Sequence, residues 1–447
     1  MQAINNAMMY CLSFKSYVVL PVIIFTLAMI FRIKFQTAIK ASLQIGIGFI
    51  GIFMVFDYFI KVITPVVQAL INRMGLHCNV LDVGWPPYAA MTWSFKLTPL
   101  LLTVLIATNL IMLALKLTKT VDIDIWNYWH IIFTGAMVYY ATGNLWLTLG
   151  LAVLIFVGVL KLAEWSAPLL NRYTGMSGIC IPHMSSITYL PLAVLGNKVL
   201  DQIPVVNRIN ANPEAIRNKL GLLGEPMMLG LAMGAALGIG GGYPLKDVAD
   251  LAFRFAAVIY ILPMMCNILG TSLIPISEGM KAFIQRYLPG LGETYIGLDV
   301  AVVLGNPAVV VSGLLLIPTA LILAFVLPGI RFIPLGDLPN VMIVAAFLCV
   351  VTNGNVVRTY LIGLPIIIAL LYLASNLAGF YTKLASFLHY RLPGYDGVYT
   401  SFLDGGNLLR GWLIYAVTGN LPALLLIPVV IGLVWYTRQV LRREIQR

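Results

Sequence analysis

Long apolar runs, broken at intervals by glycine, proline and isolated polar residues, fill this chain of 447 residues. Continuous apolar stretches lie at 17–31, 97–115, 146–160, 251–274, 308–328, 356–378 and 412–436. They match or approach the roughly 17–25 residues with which a helix crosses a bilayer. Two further stretches, 42–57 and 226–242, are glycine-rich and interrupted. The runs are continuous instead of alternating with period two, which argues against a transmembrane barrel. The pattern predicts an all-α integral membrane protein with about eleven transmembrane helices.

Composition agrees. Sixty per cent of the residues are hydrophobic and 10% are charged, against about 25% charged in a soluble domain. Mean hydropathy is +0.93. The net charge of +11 fits cytoplasmic loops, which collect Lys and Arg, better than nucleic-acid binding. Arg32, Lys34 and Lys40 follow the first run, and Arg438, Arg442, Arg443 and Arg447 form the C-terminal tail. Placing both in the cytoplasm puts the N-terminus outside and requires an odd number of spans. No small-residue cleavage site follows the first run, so a cleaved signal peptide is not expected. Cys11, Cys78, Cys180, Cys266 and Cys349 are scattered and have no paired spacing. Neither a disulfide framework nor a metal site is expected, and no cofactor.

The chain carries marks of an internal repeat. Leu81-Asp82-Val83 and Leu298-Asp299-Val300 stand 217 residues apart, and each precedes a proline and a long apolar run. Downstream, Gly143-Asn144 and Gly354-Asn355 stand 211 apart. The glycine run 45–53 pairs loosely with 230–242, and PHMSS (182–186) falls opposite TSFLDGGN (400–407). The chain therefore divides into approximate repeats, 1–220 and 221–447, of one membrane domain. An odd number of spans in each makes them inverted. Such repeats place substrate near the midplane, on broken helices at their interface.

Four elements combine breakers with polar groups: GWPPYAAMTW (84–93), GICIPHMSS (178–186), LDVAVVLGNPAV (298–309) and TNGN (352–355). Pro182 cannot donate a backbone hydrogen bond, and His183 follows it. Ionisable groups inside a membrane are functional candidates. Asp299 suits either a helix cap or a base, and Asp82 holds the matched place. Glu225 suits a helix start or a site. His130 lies among aromatics. Candidate substrate-binding residues are His130, His183, Asp299, Asn306, Asn353, Thr92, Trp85 and Glu225, with Asp299 and His183 as candidates for the chemistry. Carboxylates, amides and aromatic faces suit a neutral polyhydroxy ligand. The spans hold no Lys or Arg cluster for an anion, and no nucleotide-binding, Ser-His-Asp or HExxH motif is present.

These motifs together give a specific resemblance. GIGFIGI (46–52), DVGWP (82–86), VDIDIWNYWHIIFTG (121–135), GICIPH (178–183), IPVVNRI (203–209), GEPMMLG (224–230), IGLDVAVVLGNPAVV (296–310) and NGNVVRT (353–359) follow one another. In this order the chain resembles the galactitol-type enzyme IIC, the membrane permease of the bacterial phosphoenolpyruvate:sugar phosphotransferase system. The resemblance covers nearly the whole chain. It implies an eleven-helix inverted repeat in the inner membrane, with a core domain and a V-shaped scaffold, assembled as a homodimer in membrane lipid. It implies a polyol that is phosphorylated as it is delivered inside. The phosphoryl donor is a cysteine of a separate IIB protein, charged in turn by IIA. Pro182-His183, Trp129-His130, Gly224–Pro226 and Gly297–Asp299 match the family. Two places depart from it. Asn306 follows Leu304-Gly305 where relatives often have His, and Thr352-Asn353-Gly354-Asn355 stands where they often have His-Gln-Gly-Asn. The solute is therefore galactitol or another polyol or sugar. The alternative is a proton-coupled transporter of an unmodified solute, with Asp299, Glu225 and His183 as a relay.

Overall fold

Glycine, proline and short polar residues decide where the helices stop. The computed structural model describes residues 16–74, 79–287, 294–392 and 395–446. His77, Cys11 and Cys78 lie outside the described residues. Asp124 caps helix Ile125–Thr142 by accepting from Trp126 N, and Gly143 ends it at φ +64°. Asn144 caps the next helix, Leu145–Thr174. The second Gly-Asn mark is the same kind of joint. Gly354 has φ +74°, and Asn355 caps Val356–Phe387 by accepting from Arg358 N. A left-handed glycine closes one helix and an amide oxygen opens the next.

Two helical hairpins open the two halves of the chain. Ser16–Ile30 turns into the 40-residue Phe35–Met74, and Pro226–Gly240 into the 43-residue Leu245–Tyr287. At Gly234 the backbones of the second hairpin approach closely: a Cβ there would lie 2.7 Å from Ala252 Cα. Such close approach is how small residues pack membrane helices.

Four helices among the described residues are long and apolar enough to cross a membrane: Leu145–Thr174, Pro307–Val326, Val356–Phe387 and Leu421–Glu444. A fifth span arises if Pro86–Ser94 and Thr98–Ala114, bent by 96°, count as one.

The chain is mostly helical, but the all-α expectation needs amending, because the breaks pair as short parallel strands. β1 (Val80–Asp82) lies beside β5 (Val398–Thr400), with Asp82 opposite Thr400. β4 (Tyr295–Gly297) lies between β2 (Thr120–Asp122) and β3 (Ile179–Cys180). Unwound backbone inside a bilayer must find partners within the protein, and these ladders supply them. Each ladder joins a segment of one half to segments of the other.

Candidate functional site

A cavity of about 380 Å³ lies among the broken elements, within the usual range of small-molecule sites. It is lined by Trp85, His130, His183, Asp299, Asp337 and Asp404, with Trp126, Trp129, Ser185 and apolar side chains between them.

His183 is held by its backbone. After β3, Pro182 keeps the chain extended, and His183 (φ −76°, ψ 110°) precedes the single turn Met184–Ile187. Its Nδ1 lies 2.7 Å from Asp124 Oδ2 and 3.5 Å from Asp299 Oδ2. Asp299 Oδ1 accepts from Ala301 N at 2.6 Å. Behind this trio, Asp122 accepts from Asp124 N and from Asn127 Nδ2, and Asn127 Oδ1 accepts from Met184 N. Ligand atoms of Asp124, His183 and Asp299 lie within 4.8 Å of one another. That spacing would admit a cation, but the His183–Asp124 contact already accounts for it as a charge-assisted hydrogen bond from Nδ1–H to the carboxylate.

His130 stands beside them, with its ring 5.0 Å from that of His183 and nearly perpendicular to it. Its Nδ1 takes a hydrogen bond of 2.6 Å from Arg410 Nη2. Arg410 is fully buried. Its Nη1 donates to Asp404 Oδ1 at 2.8 Å and its Nε to Thr134 Oγ1. Trp129 stacks on His130 with ring centres 3.9 Å apart. Two polar atoms of the lining, Trp129 Nε1 and Ser185 Oγ, are buried with no hydrogen-bond partner among the described residues. Buried donors are rarely left so, and each is a natural contact for a bound ligand.

A second carboxylate cluster adjoins the first. Asp82 accepts from the amides of Gly84, Gly336 and Phe402. Asp337 accepts from Trp85 N, Leu403 N, Asn340 Nδ2 and Ser401 Oγ. Gly84 is required here: it has φ +68°, and a Cβ would lie 2.7 Å from Gly336 O.

Of the residues picked out in the sequence, the fold brings Asp299, His183, His130 and Trp85 to the cavity. Four others sit at backbone joints away from its lining. Asn306 caps Pro307–Val326 and accepts from Tyr173 OH at 2.7 Å. Asn353 takes the left-handed turn at φ +50°. Thr92 is buried, bonded to Tyr88 O. Glu225 is the residue before Pro226–Gly240. His389 is exposed past a helix end. Sequence reasoning did not single out Asp124, Asp404 or Arg410 as site residues. Arg410 had a usable signal, a lone charge inside the apolar stretch 408–417.

Residues 10–393 match the family of PTS system sugar-specific permease components, EIIC-GAT. The galactitol-specific EIIC component of the Escherichia coli K12 phosphotransferase system is 34% identical over 97% of this chain and 95% of its own length. The same holds for its counterpart in Escherichia coli O157:H7. A further K12 chain, named for a permease IIC component, is 35% identical over 91% of this chain and 92% of its own.

Proposed function

This chain belongs to the EIIC-GAT family, the sugar-specific permease components of the phosphotransferase system, and from that membership we propose that its substrate is a sugar alcohol, galactitol or a related polyol. The observation that carries the proposal is the cavity lining. Carboxylates and histidines alternate with tryptophan faces, and no Lys or Arg is among the described lining residues. A polyol hydroxyl both donates and accepts, and its carbons offer C–H surface to aromatic rings. An anionic sugar would need cationic partners instead.

The proposed chemistry uses His183 and Asp299. Together they hold and orient one hydroxyl. The phosphoryl group leaves the cysteine sulfur of IIB and bonds to that oxygen, while the hydroxyl proton passes to His183 or Asp299. Positioning and charge stabilisation contribute most to such a transfer. Basic cytoplasmic loops draw in phosphorylated IIB.

The proposed frame is one permease domain spanning 1–447, with inverted repeats 1–220 and 221–447 and eleven spans in the bacterial inner membrane. Element order supports it. In each half a 15-residue helix and a helix of 40 or more residues precede the Leu-Asp-Val strand or its neighbour. In each, His183 or Ser401 then precedes a four-residue turn. The helix Ile427–Gln446 is left over as the eleventh span, so the termini lie on opposite sides, and the basic C-terminal tail marks the cytoplasmic end, leaving the N-terminus periplasmic or extracellular. Its exposed Val429, Ile431 and Trp435 suit lipid or a second copy in a homodimer.

The test uses membrane vesicles supplied with the soluble phosphotransferase proteins, the cognate IIA and IIB, phosphoenolpyruvate and labelled polyols. Phosphoenolpyruvate-dependent formation of a polyol phosphate is expected, and Asp299→Asn should abolish it while the protein still inserts. Phosphorylation of anionic or unreduced sugars alone would overturn the polyol reading. Unimpaired activity of the Asn variant would remove Asp299 from the chemistry.

A further inference from the structure

We propose that Arg410 is a positioning residue that fixes His130 as a hydrogen-bond donor, in the tautomer opposite to that of His183, which Asp124 and Asp299 make an acceptor. The proposal rests on the polyol site described above and assigns how that site recognises a hydroxyl.

The argument starts from what an arginine can do. A guanidinium has five N–H donors, no acceptor, and keeps its proton. A 2.6 Å contact between Arg410 Nη2 and His130 Nδ1 therefore needs a lone pair on Nδ1. The His130 proton then sits on Nε2, the other ring nitrogen of this cavity-lining residue. Asp404 would otherwise decide differently. Its Oδ1 lies 3.1 Å from the same Nδ1, and a carboxylate there calls for an Nδ1 proton. The Arg410 contact decides because it is the shorter, 2.6 Å against 3.1 Å, and because Nη2 can only donate. Arg410 also neutralises Asp404, donating through Nη1 to its Oδ1 at 2.8 Å and its O at 2.9 Å. The cation is firmly placed. It is fully buried, bonded to Thr134 Oγ1, and lies 5.7 Å from the Trp129 ring centre and 5.3 Å from that of Phe133.

His183 meets the opposite surroundings. Its Nδ1 faces two carboxylates, Asp124 at 2.7 Å and Asp299 at 3.5 Å. Nδ1 therefore carries a proton, and in the neutral ring Nε2 holds the lone pair. With the rings 5.0 Å apart, one histidine can give a hydrogen bond to a substrate oxygen while the other accepts the hydroxyl proton. The hydrogen bond made by one ring nitrogen sets the role of the other. Unpartnered Trp129 Nε1 adds a donor on the His130 side.

The deciding experiment is ¹⁵N NMR of the full-length protein in lipid, labelled at histidine, with signals assigned through His130→Asn and His183→Asn. Expected are a neutral His130 protonated at Nε2 and a His183 protonated at Nδ1. In Arg410→Gln the His130 proton should move to Nδ1, facing Asp404. Arg410→Lys keeps a donor and should restore the Nε2 proton. In the vesicle assay Arg410→Gln should raise the half-saturating polyol concentration by about 10-fold, the effect of one lost hydrogen bond in a buried site, with a smaller fall in maximal rate. An Nδ1 proton on His130 in the unaltered protein would overturn the proposal, even if the Gln variant fails to insert. The nitrogen signals do not depend on which sugar is carried. If they are as expected and no polyol is phosphorylated, the substrate reading fails and the tautomers stand.

Discussion

Two carboxylate clusters, each assembled from both halves of the chain, spend their hydrogen-bonding capacity differently. In one, Asp82 and Asp337 are surrounded by amide donors, and the hydroxyl of Ser401 closes the set. In the other, Asp299 and Asp124 each accept one backbone amide, from Ala301 and Trp126. Both then share His183, which stands where the first cluster has Ser401. The first cluster ties β1 and β5 to the loop at Gly336 and meets the cavity only through Asp337 and its neighbours, with its carboxylates bound to amides. The second keeps capacity for a ligand. Similar acids at similar breaks thus serve architecture on one side and chemistry on the other. The residue placed between the two carboxylates makes the difference.

If that contrast is right, the largest effect comes from disturbing His183 through its partner. In Asp124→Asn the amide can present N–H to Nδ1 and drive the His183 proton to Nε2, where it blocks proton acceptance. Polyol phosphate formation should fall by at least ~100-fold, the scale of a lost general base or a reversed histidine tautomer. Asn can still cap the helix, so membrane insertion should be near normal. Retained activity would show that the Asp124–His183 contact is structural, and the contrast between the clusters would collapse.

The matched change on the other side should read out as stability. In Asp82→Asn one acceptor oxygen becomes an NH₂ group facing a buried amide such as that of Gly336. An unsatisfied buried donor costs about 1–3 kcal/mol. Thermal inactivation in detergent should occur at lower temperature, while the half-saturating polyol concentration of the surviving protein stays within about 2-fold, a shift of less than 0.5 kcal/mol. A large rise in that concentration with unchanged stability would place Asp82 in substrate recognition instead.

How far this contrast could be read in advance depended on chain locality. The Gly-Asn marks and the Leu-Asp-Val marks are local signals, and both became helix joints or strand ends. Pro182 beside His183 and Asp299 before an apolar run were legible for the same reason, because a breaker and a buried charge are visible within ten residues. Asn306 and Asn353 carried the same local signal as the true lining residues. Polar groups at breaks serve backbone joints as readily as ligands, and only the fold separates the two uses. The Asp124–His183 contact spans 59 positions and the Arg410–His130 contact 280. No pattern of hydrophobicity encodes such meetings. The short strands were missed because runs of two or three residues carry no detectable alternation.

The smallest expected effect gives the finest test, because it uses one and the same substitution in both clusters. Ser185 Oγ lines the cavity and has no partner among the described residues. In Ser185→Ala nothing inside the protein loses a hydrogen bond, so thermal stability should be unchanged. If the hydroxyl meets substrate, the half-saturating polyol concentration should rise roughly 2- to 10-fold, from about 0.5–1.5 kcal/mol for one hydrogen bond. Ser401 Oγ, in contrast, donates to Asp337 Oδ2 and accepts from Asp404 N. In Ser401→Ala the Asp337 carboxylate keeps Leu403 N but loses one donor, and the Asp404 amide loses its cap, at a cost of about 1–2 kcal/mol in stability. Its effect on the half-saturating concentration should be the smaller of the two. Assaying both variants for melting and for polyol phosphorylation crosses the predictions. If both lower stability and neither shifts saturation, Ser185 belongs with the closed cluster and the ligand-facing wall ends at His183. If both shift saturation, the amide-bound cluster also recognises the substrate, through Asp337, and the division of labour between the clusters is one of degree.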